Sequence, residues 1–383
     1  MAAFCSLTVQ RMCDPMLPEL AREFDSRLSD VAVVISWFAV TYGLMQIIYG
    51  PLADRIGKFR VVSYTTLGCS LGCLACALAP SLGWLTLARI LAAATAAAIV
   101  PVSLAWIGDQ VPYQSRQETL ARVSLGSTLG LLAGQFMGGL FTDTVGWRWG
   151  FVFVGALFMV SGGLLWLSPH TRTRPAHTST GPSPVPKAPA YRQALDVLGQ
   201  VRPRWILLTV LVEGCTVFGA VALTATHLQS SLQLSLSRSS AIAALFGAGG
   251  VLYMVLARHL IRRLGAYGLT RLGGVLFGVS FLILAYCGRW EWAIPASVLS
   301  GVGFSMFHNT MQAHATEMAP SVRGICMSLF AGTLFAGQSL GVLIATHMIE
   351  WVGMEGVMAL AGLILLMLGF IFPTLMRRWP SPH

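Results

Sequence analysis

Arg11 and Asp14 stand three residues apart in an otherwise apolar stretch, so on a helix they share a face and can pair. Arg89, Glu213 and His308 are further ionisable groups inside long apolar segments, and Asn309, Gln312 and His314 follow closely on His308. Burial disfavours the charged form of a carboxylate, a neighbouring guanidinium favours it, and an unperturbed imidazole titrates near neutrality. Such a set is suited to taking up a proton and giving it back. The plainer readings are a structural ion pair for Arg11 and Asp14, and for His308 a hydrogen bond that holds neighbouring helices. His314 and Glu317 read as solvated, His227 and His347 as interfacial. There is no phosphate loop, metal-ligand cluster or nucleophile elbow. No enzyme, ATP-driven pump, cofactor or metal site is therefore expected.

The surroundings of these groups are set by composition. The chain has 383 residues, 55% of them hydrophobic and only 10% charged, with a mean hydropathy of +0.70. Soluble domains carry about 25% charged residues, so this composition belongs to a polytopic membrane protein. Forty glycines agree, since small residues let spanning helices approach closely. Cys69, Cys73 and Cys76 lie at helical spacing and read as small packing residues. No cleavable signal peptide is evident. The first helix opens almost at Met1, so an amino-terminal tail is missing or the start lies inside it.

A spanning helix needs about 20 mostly apolar residues. That ruler places helices near 2–20, 31–50, 61–80, 83–107, 118–141 and 147–168, and again near 205–228, 238–257, 268–288, 292–316, 324–348 and 354–375. Residues 169–204, with His170 to Pro175 and Gly181 to Lys187, are rich in proline, serine, threonine and bases and read as a solvated linker. Within it, residues 191–200 read as a short amphipathic surface helix. The expected fold is all-α: twelve transmembrane helices in two six-helix bundles, 1–168 and 205–383, joined by the 169–204 linker.

The net charge of +10 has the same explanation. With both termini in the cytoplasm, one membrane face collects Arg55, Lys58, Arg60, Arg116, Arg122, Arg172, Arg174, Lys187, Arg192, Arg202, Arg204, Arg258, Arg262, Arg263, Arg271, Arg323, Arg377 and Arg378. The other holds only Arg22, Arg27, Arg148, Arg238 and Arg289. This is the positive-inside bias of a cell inner-membrane protein, and no nucleic-acid partner is needed to account for it.

The halves repeat one another. Arg55-Ile56-Gly57 recurs as Arg263-Leu264-Gly265, and Pro112 with Arg116 as Pro320 with Arg323. Ala133-Gly134-Gln135 with Gly138 recurs as Ala336-Gly337-Gln338 with Gly341. A duplicated six-helix unit is the signature of a two-bundle transporter. Asp54 stands in the first hinge, where its counterpart is Arg262.

The hinge Gly50-Pro51-Leu52-Ala53-Asp54-Arg55-Ile56-Gly57-Lys58-Phe59-Arg60 resembles the loop between the second and third helices of the major facilitator superfamily. Trp147-Arg148-Trp149 and Asp14-Pro15-Met16-Leu17-Pro18 resemble the drug:proton antiporter branch of that family. The fourth-helix motif keeps Arg89, but Ala92 and Ala93 replace its usual glutamine and glycine. The fifth-helix glycine motif, called the antiporter motif, reads Gly130, Gly134, Gly138 and Gly139, with Gln135 where the family has proline.

The resemblance implies a monomeric secondary transporter working by alternating access, with proton-coupled efflux of a small amphipathic or cationic compound. Import or uniport of a sugar, organic acid or other metabolite is the competing reading, and a non-transporting membrane sensor the competing class. The partners implied are a small-molecule substrate, protons or sodium, and the bilayer. A cavity lined by helices one, four, seven and ten would hold Asp14, Arg11, Arg89, Glu213, His308, Asn309 and Gln312. Trp37, Tyr42, Gln46, Phe218, Phe246, Tyr253, Phe304 and Phe307 would either wall it with aromatic surface or serve as packing and lipid contacts. The family further implies a latch in which Asp54 meets the cytoplasmic end of the eleventh helix, while Arg55 or Arg60 meets Asp109.

Overall fold

The computed structural model describes residues 1–169, 190–319 and 322–378, and among them the only regular structure is helix. The elements are α1 (Ala2–Arg11), α2 (Leu17–Glu23), α3 (Leu28–Ile56), α4 (Lys58–Ala77), α5 (Leu82–Ala96), α6 (Ile99–Gln110), α7 (Tyr113–Thr144), α8 (Trp147–Leu167), α9 (Ala190–Gly199), α10 (Val201–Leu232), α11 (Leu236–Tyr286), α12 (Trp290–Thr316) and α13 (Arg323–Arg378). The helix α11 folds back at Gly265 and α13 at Gly353, each glycine with non-helical backbone angles. Counting these limbs singly, α1 with α2 as one rod and α5 with α6 as another, the twelve expected spans are present. Trp149, Trp290, Trp292, Trp351 and many leucines are exposed on the outside, where lipid replaces water.

Two expected helices break. The first, expected as one helix over 2–20, ends at Arg11 and resumes at Leu17. Pro15 is the cause, because it has no N–H to give to the Arg11 carbonyl and its ring crowds that turn. Asp14 therefore sits in a break between two short helices. The fourth span bends between Ala96 and Ile99.

The duplication is visible in the backbone. Among the described residues six have a left-handed φ: Asp25, Gly57, Gly146, Gln233, Gly265 and Gly353. They form three pairs, 25 with 233, 57 with 265 and 146 with 353, at an offset of 207 or 208 residues. Contacts inside each half obey the same offset. Gly130 and Gly134 lie on the carbonyls of Phe4 and Thr8, while Gly337 and Gly341 lie on those of Leu211 and Cys215. The sequence match of Gly134-Gln135 with Gly337-Gln338 is thus one helical turn out of register. Glycines at every fourth position look the same when slid by one turn, and only the helix they touch fixes the alignment.

The halves meet where α3 packs on α13 and α7 on α11. Ser36 Oγ donates to the Ser339 carbonyl at 3.0 Å. Asp143 Oδ2 accepts from Ser237 N at 3.1 Å and Ser237 Oγ at 2.6 Å. These contacts lie toward the end that is poor in bases. Toward the basic end, a Cβ on Gly50 or Gly126 would meet nothing.

Of the expected linker, residues 170–189 lie outside the described residues, and with them Arg172, Arg174 and Lys187; Pro320 of the second repeat does too. The rest is more ordered than a solvated linker. The helix α9 buries Val197 in an apolar cluster with Ile206, Met311 and Phe372, and α10 begins at Val201, inside the linker range. Its amphipathic pattern gives α9 an apolar face to bury against the second half.

Candidate functional site

A cavity of about 340 Å³ lies between the halves. Its polar wall is Gln10, Arg11, Thr128, Gln135, Ser305, His308, Asn309 and Gln338, and Phe218, Phe246, Phe304 and Phe335 are its aromatic residues. These side chains come from α1, α7, α10, α11, α12 and α13. The fourth-helix contribution expected from Arg89 is absent, because α5 stands behind α1. Arg89 is fully buried there, donating to the Val9 carbonyl at 2.7 Å with its guanidinium 3.9 Å from the centre of the Phe38 ring. Its Nε and Nη2 have no hydrogen-bond partner among the described residues.

Two acid–base pairs flank the cavity, one from each half. In the first, Arg11 Nη1 lies 3.2 Å from Asp14 Oδ2, and Gln135 Nε2 donates to the same oxygen at 3.3 Å. Asp14 is 1% exposed and does not reach the cavity surface, whereas Arg11 and Gln135 do. In the second, Glu213 Oε1 lies 3.2 Å from His308 Nδ1, and Glu213 is wholly buried while His308 lines the cavity. Each acid has one oxygen without a partner among the described residues, Oδ1 of Asp14 and Oε2 of Glu213. At the 207-residue offset Asp14 corresponds to Val221 and Glu213 to Ser6, so the two pairs are not copies of one another.

The aromatic residues connect the pairs. The Arg11 guanidinium lies 4.3 Å from the centroid of Phe218, which meets Phe304 edge to face at 5.7 Å, and Phe304 stacks on His308 at 5.1 Å. His308 is also tilted against Phe330 at 5.4 Å. Of the residues considered for an aromatic wall, Phe218, Phe246 and Phe304 take that place. Trp37 is exposed on the outer surface, Tyr42 packs on Phe38 and Phe335, and Tyr253 and Phe307 are core. Gln46 is outside the lining, and Gln312 is exposed beyond it.

The glycine motif divides its work. Gly130, Gly134 and Gly138 seat α7 against the Phe4, Thr8 and Met12 carbonyls of the first span. Gly139 turns to Ser240 in the other half. Gln135, read from sequence only as part of this packing motif, holds Asp14 from the cavity wall. Gln10 carries no signal in the sequence and Gln338 only that of the repeat, since buried glutamines in spanning helices look like packing. Both line the cavity with Oε1 unpartnered among the described residues, and an amide turned by 180° offers a donor instead.

The hinge joins one lysine to two acids. Gly57, with φ 106°, reverses the chain between α3 and α4. Lys58 meets Asp109 at 2.5 Å. Lys58 is the first residue of α4, whose start is held against α6 by Phe59 tilted on Trp106 at 5.2 Å. Asp54 pairs with the same lysine at 3.5 Å, inside its own hinge, and its side chain is 69% exposed.

These features can be set beside known proteins. The sequence profile of the Major Facilitator Superfamily matches residues 1–324. The uncharacterized MFS-type transporter YceJ of Bacillus subtilis (strain 168) is 24% identical over 345 residues, covering 87% of this chain and 84% of that protein. A probable sugar efflux transporter of Helicobacter pylori (strain HPAG1) is 22% identical over 357 residues, covering 93% and 88%. In fold, a bacterial homolog of the human lysosomal transporter Spinster, in an inward-facing and occupied conformation, superposes with a TM-score of 0.79 at 18% identity, over 98% of this chain and 95% of that one. The match covers most of the chain and agrees with its duplicated helical halves: this protein belongs to the Major Facilitator Superfamily.

Proposed function

We propose that the protein is a proton-coupled secondary transporter that moves a small amphipathic compound across the cell membrane by alternating access. The observation that carries this reading is the cavity between the halves, apolar and aromatic over most of its wall, with one buried carboxylate paired to a base on each side of it. A buried acid whose partner can move away is suited to holding a proton in one state and releasing it in another. Contact between the halves at the base-poor end and open space at the basic end fit one state of a rocking cycle. Both termini then lie in the cytoplasm, with the monomer as the transporting unit.

Export is supported by the motifs of the drug:proton antiporter type and by the similarity to the probable sugar efflux transporter of Helicobacter pylori. The test is substrate accumulation in everted vesicles under an imposed proton gradient. Absence of gradient-dependent flux across a broad compound panel, with the protein present and folded, would sink the reading.

Uptake of an organic acid is a second reading, favoured by a specific observation. The fixed charge on the cavity wall is the Arg11 guanidinium, with its carboxylate behind it, so a cationic cargo would meet a like charge first. The same panel in right-side-out vesicles separates the two directions.

A further inference from the structure

The donors that hold Asp14 are also the donors the cavity offers to its contents. Arg11 Nη1 and Gln135 Nε2 both end on Asp14 Oδ2, at 3.2 and 3.3 Å, and both side chains line the cavity while Asp14 does not. Across the cavity His308 stands in front of Glu213 in the same way. The interior thus shows its occupant two basic side chains and conceals both acids. Phe218 and Phe304 stand beside these bases as flat apolar surface.

Both side chains have further N–H groups to offer, but a ligand that draws the Arg11 guanidinium and the Gln135 amide into the cavity pulls their hydrogen bonds off Asp14. A buried carboxylate stripped of its partners is strongly unfavourable, and the simplest relief is a proton on it. We infer that the cavity takes an amphipathic organic anion, a ring or chain bearing a carboxylate or sulfonate, and that it is bound together with a proton on Asp14. The inference rests on the cavity being the transport site. The charges balance: Asp14 carboxylate gains one proton and becomes neutral, the anion becomes the counter-ion of Arg11, and the net charge of the site is unchanged. The charged and titratable groups around Asp14 are Arg11 and Cys13 from its own segment and Arg89 from α5, which stays on the Val9 carbonyl.

The sign of the linkage has a consequence for coupling. Anion and proton favour one another, so they cross in the same direction, and an inward proton gradient draws the anion inward. A cation would instead compete with the proton for Asp14, which is the arrangement an antiporter needs.

The test uses the purified full-length protein, titrated calorimetrically with 2-naphthalenesulfonate, whose charge is constant between pH 5 and 8, and with 2-naphthyltrimethylammonium. The sulfonate is expected to bind more tightly as pH falls, by up to roughly tenfold per pH unit for one linked proton, with proton uptake seen by comparing buffers of different ionisation heat. Asp14→Asn should bind the sulfonate with no pH dependence, and Arg11→Gln should weaken it about tenfold or more. Should Asp14→Asn not fold, proton uptake that persists in His308→Gln decides for Asp14, and uptake lost there overturns the inference. Sulfonate binding that is flat with pH, or preferential binding of the cation with proton release, overturns the inference and leaves proton-coupled transport standing. Binding of neither probe overturns the inference together with the cavity's role as transport site.

Discussion

Arg11 and Phe218 occupy equivalent positions in the two halves, 207 residues apart, and they touch: the guanidinium of one lies 4.3 Å from the ring centroid of the other. Equivalent positions can meet only on the axis that relates the halves. The duplication placed a cation opposite an aromatic face at the centre of the molecule, where a cation–π contact is strongest because water is excluded. A side chain that bridges two moving halves while pairing with a buried acid is well placed to report motion to that acid.

Neutralising the acid should separate binding from coupling. Asp14→Asn keeps the shape and the Gln135 contact, so the protein should fold and bind. Proton movement accompanying substrate in liposomes, read with an internal pH dye, should fall at least about tenfold, as expected when the titrating group is lost. Unchanged proton movement would transfer the role to Glu213 and His308.

The glycine contacts should be costly to fill. A Cβ at Gly134 or Gly341 would overlap the Thr8 or Cys215 carbonyl, and backbone on both sides leaves little room to give. Gly134→Ala and Gly341→Ala should each cost about 1–3 kcal/mol, the usual range for overpacking. Gly126→Ala, where nothing lies within 4 Å, should be neutral or stabilising by roughly 0.5–1 kcal/mol. Melting in detergent compares them, and equal losses at all three positions would contradict the packing described.

The closed end should loosen when Asp143 is removed. Its Oδ2 holds both the Ser237 amide and hydroxyl across the interface between the halves. Asp143→Ala should cost the closed state about 1.5 kcal/mol, or roughly tenfold in population. Maleimide labelling of Ser36→Cys, beside the Ser339 contact, should quicken accordingly. The native cysteines are buried or half-buried and give a low background.

The hinge should govern rate more than stability. Lys58 joins Asp54 and Asp109 at an exposed surface, where ion pairs are worth about 0–1 kcal/mol. Asp54→Asn and Lys58→Gln should therefore leave the melting temperature nearly unchanged. They should also keep substrate affinity within about twofold, a difference of roughly 0.4 kcal/mol, while turnover changes. Loss of binding as large as loss of turnover would rule out a latch.

The membrane class, the rods and the duplication could be read directly from the chain. Apolar length, the clustering of bases on one side and the recurrence of Arg-Ile-Gly as Arg-Leu-Gly are one-dimensional signals. They follow from the cost of charge and of unpaired backbone in lipid. The ionisable residues were legible for the same reason, since so few occur within apolar segments. Two things were beyond the sequence. Arg89 and Gln135 exchanged expected roles, because periodicity says that a residue lies on a helix but not which neighbour that face meets. Both acids proved to stand behind their bases, and for Asp14 that order of layers was decided by the Pro15 break and by the Phe4, Thr8 and Met12 carbonyls seated on α7. Sequence determined which residues are costly to bury in lipid; only the packing of glycine on backbone decided which of them the cavity displays.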